Sequence, residues 1–193
     1  MRGWLSQKRC EEIKALVVEM FDECGVHSYP IDPFEIARTL CYIVRPYSGL
    51  SAAEQEAAFE ESDEGYSKLE FFPDLGFRYV IYYNDMVLSE GRIRWTLFHE
   101  IAHCYLGHHE HPDNSLYIIE EQEANLFTKN AIAPPVLISK LQCDCPSAVA
   151  HVFDTSLQAA DYVYDYYLKW LRYGAPVYTD FEVQLLRMFG FAA

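Results

Sequence analysis

Positive charge is scarce in this chain. Its 193 residues hold 15 Lys and Arg against 29 Asp and Glu, a formal net charge of −14 at pH 7. That balance opposes non-specific attachment to a phosphate backbone and suits a basic protein partner instead. Long apolar runs are also missing. None approaches the roughly 20 residues of a membrane-spanning helix, and Met1 to Cys10 has no signal-peptide apolar core. The expectation is a cytoplasmic protein with no membrane attachment. Cysteines lack a pattern: apart from Cys143-Asp144-Cys145 the six are scattered, which excludes a secreted disulfide framework and suits reduced thiols. No second Cys or His pair is spaced to complete a zinc site with Cys143 and Cys145, and no internal repeat is present. Hydrophobic residues make up 51%, so disorder across the chain is excluded. A domain of this size buries a core without disulfides.

Against that background one pentapeptide stands out, His99-Glu100-Ile101-Ala102-His103. On a helix, residues four apart lie one above the other, so both imidazoles reach a single metal ion. Glu100 is rotated off that face, where its carboxylate can hold and deprotonate a water molecule. With 7 His in the chain, chance produces the pattern in roughly two of a hundred such sequences. The surroundings argue against chance. Ile93, Trp95, Leu97, Phe98, Ile101, Ala102 and Leu106 make the segment apolar nearly all round, the mark of a buried helix. Buried histidines and a buried carboxylate are costly unless hydrogen-bonded or bound to metal. Ser89 supplies a start signal and Gly107 a stop.

Hydrolytic zinc needs a third protein ligand and an open position for water. His109 stands ten residues after His99, as the third histidine of a metzincin does, but Leu106 occupies the position where that motif needs glycine. Gly107 comes one residue late, and no methionine follows until Met188. The plainer reading of His108, His109 and His111 is a solvated loop. The other candidate is the acidic segment Glu120-Glu121-Gln122-Glu123-Ala124-Asn125-Leu126-Phe127. Glu121 and Asn125 share a helical face, so the carboxylate can ligate while the amide orients a ligating histidine. Glu123 lies roughly 200° from Glu121 around the helix.

The chain resembles the ImmA/IrrE family of metallopeptidases. The resemblance rests on Arg94-Trp95-Thr96-Leu97-Phe98-His99-Glu100-Ile101-Ala102-His103, on Glu121-Gln122-Glu123-Ala124-Asn125-Leu126-Phe127, and on the Pro134 that follows. Weaker echoes are Pro30 to Ala37 and Phe153 to Ser156. Trp95 and Thr128 depart from the family's usual Phe and Ala. The resemblance implies Zn²⁺ held by His99, His103 and Glu121 in the gluzincin manner, with Glu100 as the catalytic base and Asn125 behind the ligands. It also implies a protein substrate of a particular kind, a helix-turn-helix transcriptional repressor of a mobile element or a stress response. The alternative is a zinc-binding regulatory protein that holds its partner without cutting it.

Local patterns predict an α+β chain with helices around a small antiparallel sheet, a zincin-like core over residues 1–135 and a helical C-terminal extension over 136–193 packed on it. Apolar residues from Ile13 to Phe21 recur at helical spacing and end at Gly25. Asp32, Pro33 and Glu35 predict a capped helix, as do Ser51 with Glu54, Thr155 with Gln158, and Thr179 with Glu182. Glu54 to Glu64 reads as acidic and mobile. Cys41 to Arg45 reads as a strand, and Tyr66–Phe72 with Phe77–Tyr83 as a hairpin. Phe77 to Tyr83 is the candidate edge strand for an extended peptide. Ser147 to Phe153 and Leu157 onward mimic a helix-turn-helix, but the second helix has no Lys or Arg before Lys169. It is read as a packed helical hairpin with no direct contact to nucleic acid.

Overall fold

Capping residues written into the sequence set most of the element boundaries. The computed structural model describes residues 5–110 and 116–192. In chain order these form α1 (Gln7–Glu23), α2 (Pro33–Thr39), β1 (Ile43–Pro46), α3 (Ala52–Glu61), β2 (Gly65–Phe72), β3 (Gly76–Tyr83), α4 (Glu90–Tyr105), α5 (Tyr117–Ile132), α6 (Pro135–Lys140), α7 (Pro146–Phe153), α8 (Leu157–Tyr173) and α9 (Asp180–Met188). Single 3₁₀ turns sit at Tyr47–Gly49 and His108–Glu110. The Ser6, Asp32, Ser51 and Ser89 side chains each accept a hydrogen bond from a backbone N–H of the first helical turn. Two expected caps differ. Glu35 pairs with Arg38 instead of closing a box on Asp32. Ser156, not Thr155, caps α8.

Asp32 to Ala124 form one compact unit, and residues 1–31 with 125–193 form another; the boundary falls inside α5. In the first unit the sheet order is β1-β3-β2. β2 and β3 make the expected antiparallel hairpin, with Gly65 opposite Tyr83 and Phe72 opposite Gly76. β1 joins β3 in parallel, Ile43 beside Val80, so the sheet is mixed. A four-residue strand carries no sign of its direction; the crossover through α3 and β2 brings β3 back alongside β1 in the same sense. Phe77–Tyr83, the candidate edge strand, is therefore the central strand of the sheet, and its Val80–Tyr83 half has a neighbour on both sides. Among the described residues the outer strand on the hairpin side is β2.

Tyr47, Ala58, Val80 and Tyr82 form a buried cluster, with Ile43, Leu50, Tyr66 and Phe72 packed around it. Ala58 is fully buried there and Tyr47 Oη donates to Ser62 O at 3.0 Å. These contacts anchor α3, the segment read as mobile. Helix α4, which carries His99 to His103, lies against β2, β3 and α2. Its Leu97, Phe98, Ile101 and Ala102 are buried, and each side chain of Leu or Phe size contributes about 1.5–3 kcal/mol. Close approach of β2 to α4 depends on Gly65. A Cβ there would stand 2.7 Å from Thr96 Cγ2 and 2.8 Å from Tyr82 O.

The second unit is helical. α1 packs on α9, α7 on α8, and α6 on both α8 and α9. The Tyr29 ring stacks on Phe189 and meets Phe153 edge-on, with centroids 4.8 and 4.6 Å away. Asp154 takes the left-handed conformation (φ +48°) between α7 and α8, closing the expected hairpin. α6 has no counterpart in the sequence reading, because Pro134-Pro135 masks a helix whose first position is a proline. No helix among the described residues is long and apolar enough to cross a membrane.

Candidate metal centre

Helix α4 presents His99 and His103 one turn apart, and the start of α5 brings Glu121 to them. The two Nε2 atoms are 3.1 Å apart. Glu121 Oε2 lies 3.4 Å from His99 Nε2, and Glu121 Oε1 lies 3.3 Å from His103 Nε2. These three residues form a group able to hold a metal ion. A tetrahedral ion with bonds of about 2.0–2.1 Å needs ligand atoms about 3.3–3.4 Å apart. The separations of the two Nε2 atoms from each other and from the nearer Glu121 oxygen are close to that requirement, and the donor set of two imidazoles and one carboxylate suits zinc. The two histidine rings, His103 foremost, hold the Glu121 carboxyl well below the usual carboxylate range. Glu121 therefore stands ready as an anion.

Glu100 is 8% exposed and sits off the ligand face, as its position in the motif requires. Ser67 Oγ, from β2, donates to Glu100 Oε2 at 2.7 Å, and His109 Nε2 lies 2.9 Å from the same Ser67 oxygen. A serine on one strand thus fixes a carboxylate on a helix 33 residues away. Nothing local in the sequence singles out Ser67. Its polar side chain on the buried face of a strand beside the motif helix was the one available signal.

Of the histidines read as a solvated loop, His108 is buried and His109 half-buried. Gly107 adopts φ +73°, turning the chain so that His108 comes back against His103. His108 is 8% exposed; its Nδ1 lies 2.9 Å from His103 Nδ1, and its Nε2 lies 3.2 Å from Glu123 Oε2. His109 turns toward Ser67 and Tyr79. His111 lies outside the described residues. Glu123 is buried against His108, whereas Glu121 meets His99 and His103. His99 Nδ1 is buried with no hydrogen-bond partner among the described residues.

Burial, with His103 and His108 beside it, pulls the His109 imidazole down to about 4 from an ordinary 6.5. The unfolded chain therefore binds a proton there that the folded chain refuses. Above pH 6.5 the residue adds no pH dependence; between 6.5 and about 4 its contribution is lost as pH falls. The expected result, in chelator-treated protein, is a melting temperature that falls over this interval less steeply in His109→Gln than in the parent. Parallel curves in calorimetry would disprove this assignment.

No curated protein matches the chain. Residues 56–169, more than half of it and including every site residue above, match the family profile described as the IrrE N-terminal-like domain of peptidase family M78. The His99, His103 and Glu121 group and the neighbouring Glu100 carboxylate thus lie in a chain that belongs to this family of metallopeptidases.

Proposed function

We propose that this protein is a cytoplasmic zinc endopeptidase of the gluzincin type that cuts a helix-turn-helix transcriptional repressor controlling a mobile element or a stress response. The observation that carries the catalytic part is the His99–His103–Glu121 triangle with buried Glu100 beside it. When bound, zinc supplies a Lewis acid for the scissile carbonyl and a nucleophilic water at neutral pH. His99, His103 and Glu121 would hold it. Glu100 takes the proton of the attacking water at its carboxylate and returns it to the leaving amine nitrogen. Ser67 keeps that carboxylate in one orientation through its 2.7 Å hydrogen bond. β2, the outer strand lying along α4, offers backbone groups on which an extended peptide can add as a further strand.

The substrate class rests on the family resemblance, and the acidic charge of −14 suits a basic DNA-binding partner. One cut between the DNA-binding and oligomerisation parts of a repressor is enough to release an operator, because two half-sites bind tightly only while linked. Co-expression with candidate repressors is expected to give one discrete product and derepression of a reporter. With purified components, a chelator should abolish the cut and added zinc restore it. Degradation of many unrelated unfolded proteins, with no discrete product from any repressor, would point to a housekeeping peptidase instead.

A further inference from the structure

Behind the ligand triangle runs a second line of polar side chains that binding and proton transfer leave unused. It starts at His103, passes through His108 and ends at Glu123. The His103 Nδ1 to His108 Nδ1 separation is 2.9 Å, and the His108 Nε2 to Glu123 Oε2 separation is 3.2 Å. His108 and Glu123 are 8% and 7% exposed. The His103 and His108 rings meet nearly edge to face, with centroids 4.9 Å apart and an interplanar angle of 76°. A buried imidazole and carboxylate are costly unless hydrogen-bonded, and the contacts that His108 makes here run to Glu123 on one side and to the rear nitrogen of His103 on the other.

Proton counting gives the line a direction. Two ring nitrogens at 2.9 Å share one proton. If it belongs to His108 Nδ1, then His103 carries its own proton on Nε2, the atom that must offer a lone pair to the metal. In that arrangement His108 Nε2 also turns a lone pair toward the Glu123 carboxylate, two acceptors facing each other at 3.2 Å. The opposite arrangement removes both conflicts. Glu123 accepts from His108 Nε2–H, His108 Nδ1 then accepts from His103 Nδ1–H, and His103 Nε2 is left bare toward Glu121 and His99.

We propose that His108 and Glu123 are positioning residues whose hydrogen-bond line holds His103 in its metal-ligating tautomer and ring orientation. Helix α5 thereby serves the site twice, with Glu121 as ligand and Glu123 as the anchor that sets the tautomer two side chains away. Gly107 is what allows it, since its left-handed turn returns His108 beneath His103. Partners of this kind behind a ligand typically carry about 10–100-fold in metal affinity.

The inference rests on the zinc reading of the triangle, and the experiment separates the two. Zinc affinity is measured by competition with a chromophoric chelator for the parent and for Glu123→Gln, His108→Leu and His108→Gln, with circular dichroism recording the fold. His108→Leu, which removes the line, is expected to bind one zinc per chain about 10–100-fold more weakly, and Glu123→Gln, which keeps an acceptor but loses the anion, is expected to fall between it and the parent. His108→Gln is expected to recover most of the loss, because its amide carries an acceptor and a donor on one carbon, as imidazole carries Nδ1 and Nε2 on either side of Cε1. Parental affinity in both Glu123→Gln and His108→Leu would overturn the proposal, whereas a parent that binds no zinc would overturn the reading of the triangle itself. Should a variant fail to fold, the zinc-loaded parent decides. Long-range ¹H–¹⁵N spectra are expected to place the protons on His103 Nδ1 and His108 Nε2, and a proton on His108 Nδ1 would overturn the proposal.

Discussion

Glu100→Gln is expected to keep its fold and bind zinc like the parent while losing peptide cleavage by about 10²–10⁴-fold, the usual cost of removing a general base. The substitution is nearly isosteric, so the buried position tolerates it sterically. The Gln carbonyl oxygen can still accept the hydrogen bond that Ser67 gives at 2.7 Å. What the amide cannot do is take a proton from the attacking water. Metal binding should survive because Glu100 contributes no atom to the His99–His103–Glu121 triangle. Zinc content and single-turnover cleavage of a confirmed substrate, measured on the same preparation, check both halves. Near-parental cleavage would show that the cut arises elsewhere, and the reading as a regulatory protein that holds its partner uncut would take over.

How far the sequence reaches into this site depends on how local each determinant is. His99, Glu100 and His103 were legible because helical periodicity alone places them, and Ser89 and Gly107 bound their helix through capping and turn chemistry that act within four residues. Glu121 and Glu123 could be assigned to different faces of α5 by phase, but not the partners each face would meet. Ser67 was invisible, since its role depends on the register that sets β2 against β3 and on Gly65 letting the strand approach α4. His108 was misread for a similar reason. A run of histidines after a helix looks solvated until the φ +73° turn at Gly107 folds it back. The same limit explains the sheet. Hairpin residues announce their pairing through the short turn between them, whereas the parallel docking of β1 is decided by a crossover with no local signature.

Each of His99→Ala, His103→Ala and Glu121→Ala is expected to lower zinc affinity by more than the roughly 10–100-fold that partners behind a ligand carry, and to abolish cleavage with it. The reason is geometric. The two Nε2 atoms are 3.1 Å apart and each lies 3.3–3.4 Å from one of the two Glu121 carboxylate oxygens, so each protein ligand removed leaves a tetrahedral ion with two. The loss should also be visible in stability. The histidines come from α4 and the carboxylate from α5, so an ion binding only the folded chain ties the two helices together. Such linkage adds about 2.7 kcal/mol at a zinc concentration of 100 times Kd. Thermal unfolding of the parent should therefore shift upward on adding zinc, and unfolding of the three variants should not. His109→Ala serves as the contrast, because its Nε2 lies 2.9 Å from Ser67 Oγ and it is not among the three residues grouped to hold an ion. It should retain one zinc per chain at saturation, as should Glu123→Ala despite its weaker binding. Full zinc retention in Glu121→Ala, with loss of the ion in His109→Ala or Glu123→Ala at saturation, would move the third ligand off Glu121. The gluzincin assignment would then fall, leaving His99 and His103 in place.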